Sequence, residues 1–261
     1  MENPWEKFDI GNYKLYDENR NMVLEIDRQA VAAYNAGKDH EKQFQTHLLP
    51  EPFHGNLYSA KVIFLSLNPG YVERLNKDLA QYVSDMNVGV HMGDFLKSQM
   101  DLRASSFAPN KEYHRDLYYA YQTLGDWYWH DKLNTLRMAT GLSEDQFNER
   151  IGLIQLIPYA SSVCDKPITD LPSQQFTKTL VKELLSKEDK PLFVVLRSEP
   201  EWGKMFEIEV SDKRNEFVEN RNFIIRKRDK NGHRPRGQFI NENAFYYADD
   251  FQRLVDKIKE K

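Results

Sequence analysis

The chain has 261 residues, a net charge of −4, a pI near 6.0, 29% charged residues and a mean hydropathy of −0.72. That length allows one large α/β domain or two small ones with a sizeable core. No apolar run approaches the roughly 18 residues of a membrane span. Met1 to Leu15 lacks the basic start and apolar stretch of a signal peptide, so a cytoplasmic location is expected. A single cysteine, Cys164, excludes an intrachain disulfide and any cluster held by several thiolates.

Met1 to Asn21 mixes Trp5, Phe8, Tyr13 and Tyr16 with polar residues and reads as an ordered extension packing on the domain. Met22 to Ala36 has helical spacing and stops before Gly37. Residues 1–49 are thus expected to form an N-terminal extension, and 50–261 the main domain. Pro50, Pro52 and Gly55 make Glu51 to Leu57 a loop leading into a strand, with His54 structural rather than catalytic.

Lys61 to Val72 organises the chain. The apolar run Val62 to Leu67, broken only by Ser66, predicts a strand buried on both faces. It ends abruptly at Asn68-Pro69-Gly70, where Pro69 fixes one φ and removes a donor and Gly70 permits close backbone approach. A sharp turn at the carboxyl end of a central strand is where open α/β sheets place a ligand, which makes Asn68 the first candidate.

Glu73 to Asp85 reads as a helix whose amino end points back at this turn, and Gly89 to Asn110 as loop. Tyr113 to Met138 is an aromatic helical region divided near Gly125, its aromatic stripe read as core. His114 and His130 are too far apart for a helical metal pair and no His-Glu-x-x-His pattern occurs, so no metal or other cofactor is implied. Ser143 to Gln146 is a capping box, followed by a second buried strand, Ile151 to Ile157. A helix over Thr169 to Lys187 precedes a third strand, Pro191 to Arg197. Ser198-Glu-Pro-Glu201 then reads as a capping box for a helix from about Glu199 to Ile208. A fourth strand, Asn222 to Arg226, alternates as an edge strand should, and Ala248 to Lys261 is an amphipathic helix.

Four β runs separated by helices predict an α/β fold, a three-layer α/β/α sandwich around a mainly parallel four-stranded sheet. Between Lys213 and Arg236 lies the strongest cationic run. It contains Arg226, Arg228, Arg234 and Arg236, suited either to solvent or to phosphate.

The segment Leu67-Asn68-Pro69-Gly70-Tyr71 resembles the first motif of the uracil-DNA glycosylase superfamily, in which a strand leads into Gly-Gln-Asp-Pro-Tyr or Gly-Ile-Asn-Pro-Gly. The likeness covers roughly Pro50 to Phe245, specific in this motif and topological elsewhere. It implies that Asn68 holds the water that attacks the sugar carbon, with Pro69 and Gly70 shaping the pocket floor and Tyr71 closing one side. Phe107 would stack on the extruded base, and Gln155, where the strict uracil enzymes have Asn, would read its edge beside Tyr159. His233, in a Gly-His-Arg-Pro-Arg loop that departs from the family's His-Pro-Ser, would stabilise the departing base. Arg226, Arg228, Arg234 and Arg236 would meet the nucleic-acid backbone. The single cysteine excludes the branches that carry a four-cysteine iron–sulfur cluster.

The expected partner is DNA or a nucleotide-like ligand, with no membrane. The alternative from another class is a binder of nucleic acid or nucleotide that kept the sheet without the chemistry, which the acidic net charge favours. An acyl hydrolase is discounted, since no Gly-x-Ser-x-Gly elbow exists.

Overall fold

A computed structural model describes residues 1–10, 20–70, 89–108, 128–210, 216–227 and 240–260. Within them the chain builds β1 (Phe53–His54), β2 (Val62–Ser66), β3 (Ile151–Gln155), β4 (Leu192–Val195) and β5 (Phe223–Ile225). They form one sheet in the order β1-β3-β2-β4-β5. β3, β2, β4 and β5 are parallel to their neighbours, and β1 runs antiparallel along the outside of β3. The expected four-stranded sheet is therefore corrected to five strands, one pair antiparallel.

The fifth strand lies in the stretch expected to be a loop. Phe53 and His54 pair with Ile154 and Leu153 through main-chain bonds that need no sequence period. Gly55 then turns the chain at φ +79, where a Cβ would collide with the Ile151 carbonyl.

The helices are α1 (Arg28–Asn35), α2 (Gly89–Met100), α3 (Tyr128–Thr140), α4 (Glu144–Asn148), α5 (Gln174–Ser186), α6 (Glu199–Phe206), α7 (Glu216–Glu219) and α8 (Asp250–Lys259). α2 corrects the loop expected from Gly89 onward. Its low-propensity glycines are outweighed by Phe95, Leu96 and Met100, which enter the core. α4 begins with the anticipated capping box, Ser143 and Gln146 bonding reciprocally. α6 does not. Ser198 stands at φ 59, ψ 44, in the left-handed region, and its side chain makes no cap bond. The anticipated helix over 73–85 and the Gly125 break lie outside the described residues.

Alternation along the strands divides the core. Ile63, Leu65, Ile154, Phe193, Val195 and Ile225 face one cluster, joined by Leu180 and Leu184 of α5, Trp202 of α6 and the N-terminal Trp5 and Phe44. Val62, Phe64, Leu153, Val194 and Ile224 face the other, with Leu136 of α3, Phe147 of α4 and Leu254 and Ile258 of α8. Helices thus feed apolar side chains to both faces, as parallel strands require. β5, anticipated as half-exposed, is buried throughout because residues 244–246 pair along its outer side. No helix among the described residues is long and apolar enough to cross a membrane.

The N-terminal segment does pack on the domain. Trp5 is buried beside Tyr159, with ring centroids 6.4 Å apart, and the Asn3 amide donates to the Met100 carbonyl.

Candidate functional site

From β2 the chain goes to β3 on one side, then crosses back past β2 to β4 on the other. β2 is therefore where the connections diverge, and the crevice beyond its carboxyl end is the place for a ligand in such a sheet. Asn68 sits two residues past β2, half-buried between a buried Pro69 and a buried Leu67, with Gly70 exposed beyond.

The backbone ladder between β2 and β3 continues past the strands. Leu156 and Ile157 donate to the Ser66 and Leu67 carbonyls, and Ser161 donates to the Pro69 carbonyl. Between these rungs lies Pro158, which has no N–H to give. The Asn68 side chain spans that interval. Its Nδ2 donates to Ser161 Oγ at 2.8 Å, to the Pro69 carbonyl at 3.0 Å and to the Tyr159 carbonyl at 3.3 Å. Two of these partners are carbonyl oxygens that only accept, so the amide has one possible orientation. Its NH2 is thus held by the protein, and its Oδ1 accepts no hydrogen bond from any described residue.

Gln155 ends β3 opposite Ser66 in the register. Both follow the alternation of Phe64 and Leu153 onto the same face, at exposures of 4% for Gln155 and 7% for Ser66. The Gln155 main chain is satisfied through Pro52, but its Oε1 is fully buried with no hydrogen-bond partner among the described residues. An unsatisfied buried acceptor costs roughly 1–3 kcal/mol.

The other anticipated residues fall elsewhere. Tyr159 is 1% exposed, and its hydroxyl donates to Asp27 Oδ2 at 2.7 Å while accepting from the Leu24 N–H. Burial, then the Asp27 charge, pushes the phenol pKa well above its ordinary value. Phe107 is also 1% exposed, packed edge-on against Trp129 and 5.7 Å from the His54 ring, with its N–H on the Asn148 carbonyl. As placed, neither ring is presented to a ligand. Arg226 is buried at 3%, bridged to Phe245, and not set out toward a phosphate. Tyr71, His233, Arg228, Arg234 and Arg236 lie outside the described residues. His54 has the structural role expected, its Nε2 3.0 Å from Glu51 Oε2.

The residue that sequence reasoning missed is Asp27. It is wholly buried, and it accepts from Tyr159 Oη, from Ser173 N at 2.9 Å and from Ser173 Oγ at 2.6 Å. Desolvation raises its pKa, and the Ser173 and Tyr159 bonds offset part of that rise. No local signal marks it, because Tyr159 and Ser173 lie 132 and 146 residues away.

Other chemistry finds little support. Burial raises the Cys164 thiol pKa, which keeps it in the unreactive neutral form. Ser161 is 3% exposed and its Oγ is taken up by Asn68. Among the described residues no three His, Cys, Asp or Glu side chains are grouped to hold a metal ion.

Neither protein-family models, nor curated proteins, nor solved structures give a match to this chain.

Proposed function

We propose that this chain hydrolyses the N-glycosidic bond of a modified or mismatched base extruded from DNA, in the manner of the uracil-DNA glycosylases that its Asn-Pro-Gly turn resembles. The observation that carries the reading is the fixed Asn68 amide, its NH2 held by three acceptors and its Oδ1 without a hydrogen bond from any described residue. An oxygen so held can accept a hydrogen bond from one water and aim that water's lone pair at a sugar carbon; as the C–O bond forms the C–N bond breaks, and the water's proton goes to solvent or to the departing base anion. Helices feeding both faces of the sheet agree with a three-layer α/β/α arrangement around such a site.

Breaking the bond builds positive charge on the sugar and negative charge on the leaving base. Asn68 cannot take the proton as a carboxylate would, so the chemistry relies on positioning and suits bases that leave easily. The buried Gln155 Oε1 receives an imino or amino proton from the base edge, which relieves its lack of a partner. His233 is proposed as the group that steadies the departing base. By the same resemblance Tyr71 is proposed to close one side of the pocket, and the basic run with Arg228, Arg234 and Arg236 to contact phosphate.

The net charge of −4 favours a second reading, a nucleic-acid or nucleotide binder without catalysis. One experiment separates the two. Oligonucleotides carrying uracil, mismatched thymine or hypoxanthine, single- and double-stranded, are incubated with wild type and Asn68→Ala. Release of free base by wild type, lost in the variant, supports hydrolysis. Binding without release supports the second reading, and neither binding nor release removes both.

A further inference from the structure

Asp27 belongs to the N-terminal segment, outside the strands and turns that make the crevice, yet its hydrogen bonds lead there. Its carboxylate accepts a hydrogen bond from the Tyr159 hydroxyl at 2.7 Å. Tyr159 lies in the short segment that wraps around Pro158, and that segment supplies the Tyr159 carbonyl and the Ser161 hydroxyl on which Asn68 rests. Ser173, at the start of α5, holds the same carboxylate twice, its N–H donating to Oδ1 and its hydroxyl to Oδ2, the oxygen that also accepts from Tyr159. Leu24, just before Asp27, donates its N–H to the Tyr159 hydroxyl. Three stretches distant in sequence meet on one buried carboxylate. Burying an ionisable side chain is costly, and an apolar side chain of similar shape would fill this space more cheaply. What the carboxylate provides is a fixed point for the Tyr159 segment.

We propose that Asp27 is a positioning residue for Asn68, acting through the Tyr159 hydroxyl to hold the segment that aims the Asn68 amide. The claim concerns how the amide is held. It rests on the proposed hydrolysis only for what that amide then does.

The test reads the amide directly. In the full-length 15N-labelled protein, the Asn68 side-chain NH2 signals are identified by their loss in Asn68→Ala. Their exchange with water is then measured in Asp27→Leu, Tyr159→Phe, the double variant, Asp27→Asn and Ser173→Ala. Asp27→Leu and Tyr159→Phe each raise the exchange rate about fivefold, as the loss of one ordinary hydrogen bond would. The double variant exchanges no faster than the faster single variant, because the two residues act in one line. Asp27→Asn, which keeps an acceptor oxygen, restores most of the protection. Ser173→Ala removes only the hydroxyl bond, keeps the Tyr159 and Ser173 N–H bonds to the carboxylate, and leaves the rate within about twofold of wild type.

Unchanged exchange in both Asp27→Leu and Tyr159→Phe overturns the proposal. So does a Ser173→Ala effect as large as that of Asp27→Leu, since general loosening would then suffice. Should Asp27→Leu fail to fold, Tyr159→Phe against Ser173→Ala decides alone. Protected exchange that responds as stated in a protein that releases no base would retain the positioning role and remove the hydrolysis.

Discussion

Replacing Asn68 by Asp tests the orientation on which the site depends. The carboxylate is nearly the same size, but it puts an oxygen where Nδ2 now donates to the Pro69 and Tyr159 carbonyls at 3.0 and 3.3 Å and to Ser161 Oγ at 2.8 Å. Ser161 can turn its hydroxyl and donate instead, so that contact survives. The two carbonyls cannot, and each then faces an acceptor. Losing a donor to a buried acceptor costs about 1–3 kcal/mol; with the site half-exposed, we expect about 2 kcal/mol in all. Protonating the introduced carboxyl would recover a donor, so its folded pKa rises above the unfolded value, and about 2 kcal/mol corresponds to a rise of about 1.5 units. A group shifted upward contributes stability below its unfolded pKa and loses it as pH rises through the folded one. The stability gap to wild type should therefore be small below about pH 4, open up to about pH 5.5 and stay constant above. Urea unfolding at a series of pH values, comparing wild type, Asn68→Asp and Asn68→Ala, measures it. If Asn68→Asp is as stable as wild type at about pH 7, the NH2 is not what faces the two carbonyls, and the assigned orientation of the amide falls with it.

Gln155→Met should cost nothing or stabilise by up to about 1 kcal/mol, because it removes a buried acceptor without a partner; the same variant should lose base release or oligonucleotide binding, and a loss of stability beyond about 1 kcal/mol would show that the amide is internally satisfied. Asp27, with its pKa raised by desolvation, contributes stability at low pH that is lost as pH rises past its folded pKa. Asp27→Asn should thus flatten that part of the curve, and an unaltered slope would deny the shift. Asp189 is the opposite case, its pKa lowered to about 2 by hydrogen bonds from Lys61 and then Lys257. Its contribution is present above the ordinary carboxylate range and fades as pH falls toward about 2. Being exposed, it is small and salt-screened, so Asp189→Asn should soften the acid limb at low ionic strength and hardly at high.

β2, β3 and β4 were legible because each is a largely apolar run, whereas β5 was read as an alternating edge strand and is buried throughout. The Asn68 turn was legible because Pro and Gly punctuate it so sharply. β1 was not, since Phe53 and His54 are too few to show a period and are held by the Ile154 and Leu153 main chains. α2 was hidden by Gly89 and Gly93, whose poor propensity is outweighed by the burial of Phe95 and Met100. Ser198-Glu-Pro-Glu matched a capping pattern, but a pattern does not report φ, and the left-handed Ser198 makes no side-chain bond to the first turn. For the candidate site, the strand end pointed to Asn68 and the family resemblance to Gln155. The burial of Tyr159, Phe107 and Arg226, and the tie to Asp27, come from contacts between segments far apart in the chain, which no local window contains.

The two short pairings at the sheet's margins also bear on how the protein behaves in a crowded solution. A long unpaired strand at a margin offers donors and acceptors to any other chain. Here Phe53 and His54 occupy one margin, and residues 244–246 lie against the other through Arg226, Lys227 and Ile225. Each cover spans only two or three residues, too short a template to recruit a neighbour's strand. Among the described residues, then, neither margin offers a long unpaired strand to another chain.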